Sequence, residues 1–284
     1  MMNEVHETTP RLAGLFVYPL KSAGGIAVSE AAVDELGLAC DRRWMLVDDA
    51  GRFMSQRTHP AMALLRVAMD DGVLRVTVKD DPGRGALELP VAPAEHSGAH
   101  EEFFVWHNNR YAVDCGADAA AWFGDYMGVR CRVMRAVQPP GRERVDVSGK
   151  VLAGFADAEP ALAISTASLD DLNARLEVPL PMNRFRPNLV LEGFSPYGED
   201  RLGRVAIGDV VVQGVRPCLR CTLTTVDQET ASKGKEPLRT LATYRRVADG
   251  QVAFGMNVRF ENAGVLRVGS RVMEAPGAPM SHAS

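Results

Sequence analysis

The chain has 284 residues, 46% of them hydrophobic and 24% charged, with a formal net charge of −4. That length suffices for one large or two smaller cores, and the composition is that of an ordinary globular protein. A negative balance argues against a general nucleic-acid binder, which is basic overall. The opening MMNEVHETTP is polar and acidic, without the apolar stretch of a secretory signal. No window approaches the roughly 18 apolar residues that span a bilayer, so no membrane partner is expected. Five cysteines are too few, and odd in number, for a secreted disulfide framework. A reducing cytoplasm is the expected compartment, with the cysteines present as thiols.

In chain order, short β-type runs bounded by Gly, Pro and Asp dominate. The first half predicts strands at 12–17, 43–47, 73–78, 103–106, 110–113 and 129–134. The second half predicts them at 161–164, 186–191, 205–207, 210–215, 220–225, 254–260 and 271–273. Asp48-Asp49-Ala50-Gly51 and Ile207-Gly208-Asp209 have hairpin-turn chemistry. Helices are expected at 118–127, 168–176 and 237–244. In the second of these, Leu169, Leu172 and Leu176 have helical spacing, and Ser168 with Asp171 resembles a capping box. Pro237 suits the first turn of the third. Strands and helices do not alternate as in a doubly wound sheet. The expected fold is therefore mainly β with a few packing helices (α+β). A long loop is expected over 82–99; His96 lies in it and His100 directly after it, so their four-residue spacing carries no helical meaning. Turn chemistry places a boundary at Gln138-Pro139-Pro140-Gly141 and the charged stretch to Lys150.

The strongest local signal is Arg216-Pro217-Cys218-Leu219-Arg220-Cys221, followed by Thr222-Leu223-Thr224-Thr225-Val226-Asp227. Half a zinc ribbon needs a second cysteine pair, and Cys40, Cys115 and Cys131 supply none at short spacing. A thioredoxin-like dithiol opens a helix, whereas the β-branched run 222–226 predicts a strand. Two structurally buried cysteines remain the plain alternative. Arg216 and Arg220 tilt the balance, because cations beside a thiol favour the metal-binding thiolate.

This run, with Lys235-Glu236-Pro237-Leu238 and Tyr244-Arg245, resembles the core of the MOSC family. Two further segments resemble the same family. One is Tyr18-Pro19-Leu20-Lys21-Ser22, continued by Gly37-Leu38 and Asp41-Arg42-Arg43-Trp44-Met45-Leu46-Val47; the other is Met182-Asn183-Arg184-Phe185-Arg186-Pro187-Asn188. The resemblance covers residues 11–275. It implies an N-terminal β-barrel-like domain at 10–137, a MOSC β-barrel domain at 138–276 and a tail at 277–284.

The resemblance also implies a molybdenum–molybdopterin cofactor, with Cys221 as catalytic residue and metal ligand. The residues it implies for cofactor binding are Lys21, Ser22, Arg42, Ser165, Thr166, Arg186, Asn188, Arg220 and Asn257. The chemistry agrees: Lys, Arg and a hydroxyl beside the Gly24-Gly25 step suit an anionic pterin phosphate, and a helix N-terminus suits an anion. The sequence departs from amidoxime-reducing members at Phe254-Gly255-Met256-Asn257, where those members carry a Tyr.

The implied activity is reduction of N-hydroxylated small molecules such as amidoximes, hydroxylamines and N-hydroxylated bases. The implied partner is an external electron carrier, a ferredoxin, flavodoxin or cytochrome with its reductase. The chain itself has neither a dinucleotide fingerprint nor iron–sulfur or haem cysteine spacing. The alternative is a non-redox cofactor-binding or sulfur-carrier module, as at the end of cofactor sulfurases, here without their pyridoxal-phosphate domain.

Overall fold

The computed structural model describes residues 9–92, 100–106, 108–137 and 154–275. It is mostly β, as expected. The largest sheet has eight strands in the spatial order Val272–Glu274, Arg204–Ile207, Val210–Arg220, Val252–Phe260, Ala161–Ser165, Leu189–Glu192, Arg11–Val17 and Ile26–Val28. Within it, only Ala161–Ser165 and Leu189–Glu192 run parallel, and helix Thr166–Asn173 lies between them in the chain. A four-stranded sheet orders Trp44–Asp48, Cys131–Val137, Asn108–Asp114 and His100–Val105. Two three-stranded sheets complete the set, one of Gly264–Arg267, Glu30–Asp34 and Gly37–Leu38, the other of Leu65–Asp70, Val73–Val78 and Leu87–Pro90.

The two halves of the sequence interleave. Arg11–Val17 pairs with Leu189–Glu192, and Gly264–Arg267 with Glu30–Asp34. Residues far apart in the chain thereby come to face one cavity.

Strand character follows side-chain alternation. In Val73–Val78, Leu74, Val76 and Val78 point inward while Arg75 and Thr77 face solvent. Ala161–Ser165 is buried throughout, because it has a core on each face. Ala161 and Ala163 pack with Leu12, Leu15 and Leu189, whereas Leu162 and Ile164 pack with Leu172, Phe185 and Phe254. Each such fully buried large apolar side chain contributes about 1.5–3 kcal/mol.

Several expectations are corrected. The strand expected at 220–225 ends at Arg220, and Thr222–Thr225 is a 3-10 helix. The hydroxyls explain the change: Thr224 Oγ1 donates to the Cys221 carbonyl at 3.0 Å and Thr225 Oγ1 to that of Thr222 at 2.8 Å, closing the turn. The strand expected from 186 begins at Leu189, since Arg186 has a positive φ of 56° and Pro187 follows. The helix begins earlier than expected and is capped by Ser165, whose hydroxyl accepts from the Ser168 amide. The third helix is shorter, Leu238–Leu241. The expected loop 82–99 holds a 3-10 turn, Pro82–Arg84, and the strand Leu87–Pro90. The boundary stretch 138–150, the tail from Gly277, His96 and the His100 side chain lie outside the described residues.

Candidate functional site

A cavity of about 460 Å³ opens where the eight-stranded sheet meets the turns at Lys21 and Arg42. Its size is that of a small-molecule or cofactor site. Eight of the ten predicted site residues line it: Lys21, Ser22, Arg42, Arg186, Asn188, Arg220, Cys221 and Asn257. Ser165 and Thr166 are not among its lining. The Ser165 hydroxyl is fully buried, 2.7 Å from that of Ser168, which donates to Glu199 Oε2 at 2.7 Å.

Backbone strain concentrates here. Ser22, Arg42 and Arg186 have φ values of 69°, 47° and 56°, in the left-handed region that side chains disfavour. Such conformations cost about 1–3 kcal/mol each and persist where surrounding structure over-determines them. At Arg42 the enforcing contact is visible. The Phe155 amide donates to the Arg42 carbonyl at 2.6 Å, and a Cβ on Gly154 would lie 2.5 Å from that oxygen.

At the Arg42 end, protein groups pair with one another. Arg42 Nη1 donates to Asp41 at 2.6 and 2.7 Å and to Asn188 Oδ1 at 2.9 Å. Asp41 also accepts from the Tyr18 amide at 2.8 Å and from Asn188 Nδ2 at 3.0 Å. The Tyr18 ring receives two guanidinium groups, with its centroid 4.4 Å from Arg42 and 4.3 Å from Arg186. Burial pushes the Tyr18 hydroxyl up to about 12 and brings Arg186 down to about 10. At neutral pH the phenol stays protonated and the guanidinium stays charged.

At the other end the long strand Val210–Arg220 is bulged between Gly214 and Arg216 and again between Pro217 and Leu219. Bulges re-aim side chains. The first is built around Gly214, where a Cβ would lie 1.7 Å from the Leu202 carbonyl. Arg220 Nη1 then lies 3.1 Å from Cys218 Sγ, and Nη2 donates to the Phe185 carbonyl at 2.7 Å. Cys221 begins the 3-10 turn with its thiol exposed.

By sequence, Arg216 and Arg220 stand beside the thiols. Arg220 serves Cys218, and Arg216 is 59% exposed and paired with Glu159. The cation hydrogen-bonded to Cys221 is Arg57, with Nη1 3.6 Å from the sulfur. Asp157 joins Arg57 to Lys21, accepting from Lys21 Nζ and, at 3.3 Å, from Arg57 Nη1. Burial works against the Asp157 carboxylate, but Lys21 and Arg57 hold its pKa well below the usual carboxylate range. Burial lowers the Lys21 ammonium, and Asp157 opposes that shift. Sequence reasoning missed Arg57 and Asp157. No local motif marks them, and only the fold brings them to the thiol.

A buried metal centre made wholly of protein ligands is not what this cavity offers. Among the described residues no group of three or more His, Cys, Asp or Glu side chains could hold a metal ion. The donor set instead suits an anionic group that carries its own metal ligands. Lys21, Arg42, Arg186, Arg216 and Arg220 line the cavity against Asp157 and Glu159. Near the thiol two buried nitrogens, Arg220 Nε in the lining and Arg57 Nη2 outside it, have no hydrogen-bond partner among the described residues. A molybdenum-pterin with a phosphate and a dithiolene, completed by one thiolate, fits these residues.

Comparison with known families agrees. The MOSC N-terminal beta barrel domain matches residues 9–130, and the MOSC domain matches residues 152–273. The chain belongs to the MOSC family. It is 35% identical over 283 residues to the Mus musculus mitochondrial amidoxime-reducing component 1, covering 92% of this chain and 81% of that one. The Homo sapiens component 1 is 32% identical, with 92% and 82% covered. An Oryza sativa molybdenum cofactor sulfurase is 30% identical over 88% of this MOSC chain, which spans 32% of that relative. Among the described residues of this MOSC protein no helix is long and apolar enough to cross a membrane.

Proposed function

We propose that this MOSC protein is a molybdenum-cofactor oxidoreductase that reduces N-hydroxylated compounds, with Cys221 as its ligand to the metal. The observation that carries the reading is convergence. Lys21, Ser22, Arg42, Arg186, Asn188, Arg220, Cys221 and Asn257, from both halves of the chain, line one cation-rich cavity with an exposed thiol. The bound cofactor supplies two-electron redox chemistry at its metal.

The chain's own residues do the rest. Cys221 presents a thiolate. Lys21, Ser22, Arg186 and Arg220 offer donors to the pterin and its phosphate, and charge-assisted bonds of this kind are the strong ones. Asn188 and Asp41 fix the Arg42 guanidinium before any ligand arrives. Leu162, Phe185, Leu219 and Leu223 add apolar surface to the cavity lining. Electrons come from a separate ferredoxin, flavodoxin or cytochrome with its reductase, in the cytoplasm.

The sulfurase relative favours a second reading, a non-redox module that binds the cofactor or carries its sulfur. One assay separates the two. Protein from cells that make the cofactor is given benzamidoxime and a reduced viologen dye. Turnover that disappears in Cys221→Ser is the expected result. Cofactor retention without turnover would overturn the reductase reading and favour the carrier.

A further inference from the structure

Arg57 is 164 residues from Cys221 in sequence, yet it makes the charged hydrogen bond to that sulfur. Its setting is built from every side. The preceding Gln56 is fully buried, its amide donating to the Ser22 carbonyl at 2.7 Å and to Gln228 Oε1 at 3.0 Å. The Arg57 carbonyl accepts from Lys233 Nζ at 2.9 Å. The guanidinium carbon lies 4.9 Å from the Trp106 ring centroid and 5.6 Å from that of Phe53. Phe53 also receives Lys21, whose Nζ is 5.1 Å from its centroid. Lys21 and Arg57 thus share one carboxylate and one aromatic ring. Trp106 itself has a positive φ of 58°. That conformation belongs to the tight hairpin turn that follows Val105, which pairs with Asn108.

We propose that Arg57 is the positioning residue of the Cys221 sulfur, the end of a Lys21–Asp157–Arg57–Cys221 chain that ties the phosphate-binding lysine to the metal-binding thiol. A guanidinium remains charged at every accessible pH and points its N–H groups in fixed directions. Held as it is here, it aims the sulfur and sets a fixed positive charge beside it. In the loaded protein that charge draws electron density from the thiolate, which raises the metal's reduction potential. The consequence for the metal rests on the reading of Cys221 as its ligand; the contact between charge and sulfur does not.

The test therefore begins with the cofactor-free full chain. Rates of Cys221 alkylation by iodoacetate, an anion, and by neutral iodoacetamide are measured on the same protein. Trypsin cuts after Arg220, which separates Cys221 from Cys218 in the mass spectrum. The ratio of the two rates cancels the thiolate fraction and reports the local charge alone. Removing one unit charge about 4 Å away lowers that ratio roughly fivefold in a water-like medium. That fall is expected for Arg57→Gln and for Arg57→Met, which keeps the apolar stem on the two rings. Arg57→Lys retains most of the ratio, and the rim variant Arg216→Gln changes it far less. A ratio in folded Arg57→Gln or Arg57→Met equal to wild type overturns the proposal. With cofactor bound, Arg57→Gln should show a lower metal potential than wild type and Arg57→Lys should restore it; equal potentials overturn the electronic consequence. If the wild-type protein takes up no molybdenum, the cofactor reading fails, while the alkylation ratios still decide the role of Arg57.

Discussion

The two ends of the cavity spend their cations differently. Around Arg42 the polar groups are already joined to one another: Asp41 meets Arg42, Asn188 and the Tyr18 amide, and Arg186 stacks on Tyr18 while donating to the Ala23 carbonyl. Around Cys221 the network stays open: Arg220 Nε and Arg57 Nη2 are buried without a hydrogen-bond partner among the described residues, and Cys221 is exposed. Buried donors without partners are uncommon in folded proteins, because each lacks the hydrogen bond it had in water. The closed end is a scaffold that fixes geometry, and the open end is where a ligand completes the structure.

Arg42→Ala should break the closed end most severely. It strips Asp41, 4% exposed, of its ionic partner and leaves a buried carboxylate behind. Losing one partner of a buried pair costs about 3 kcal/mol. Thermal unfolding of cofactor-free protein should show a large drop, and cofactor content should fall with it. An unchanged melting temperature would mean the network is not structural.

Arg220→Ala sharpens the contrast from the open end. It loses the bonds to the Phe185 carbonyl and to Cys218 Sγ, each worth about 1 kcal/mol net, so the fold should hold. Cofactor binding should nevertheless weaken by about ten- to a hundredfold, the worth of a charge-assisted bond. Retention under limiting cofactor, measured as molybdenum per chain, decides it.

The smallest effect concerns acid. Asp157 has its folded-state pKa depressed, so its contribution to stability is complete above the unfolded value of about 3.9. That contribution disappears as pH falls through the lower folded value. Below about pH 4, denaturant midpoints should therefore decline more steeply in wild type than in Asp157→Asn. Parallel curves would show that the Lys21–Asp157–Arg57 link adds nothing to folding.

Much of this was legible in the sequence, and the parts that were not have physical reasons. The mainly β class follows from short alternating runs such as Val73–Val78, where burial alternates with side-chain type. The site residues near Lys21, Arg186 and Cys221 carry family motifs, and the fold brings most of them together. Periodicity failed where side chains compete with the backbone. A threonine run of strand composition became a 3-10 turn because its hydroxyls bond back three residues. Arg186, in a stretch of strand composition, turns left-handed ahead of Pro187. Ser165, rather than Ser168, caps the helix, and its hydroxyl is thereby committed away from the cavity. Arg57 was invisible because, Phe53 apart, its partners Trp106, Asp157 and Cys221 come from three distant stretches of chain. Only tertiary structure assembles such a clamp.

The central claim is that one thiol, Cys221, completes a cofactor held by the open end of the cavity. The most direct measurement is molybdenum and pterin content of protein purified from cells that make the cofactor, for wild type, Cys221→Ser and Cys218→Ser. The account predicts about one molybdenum per chain in wild type, nearly the same in Cys218→Ser, and little or none in Cys221→Ser, all three with similar melting of the cofactor-free chain. Full metal content in Cys221→Ser together with its loss in Cys218→Ser would contradict it and assign the ligand to the thiol that Arg220 holds.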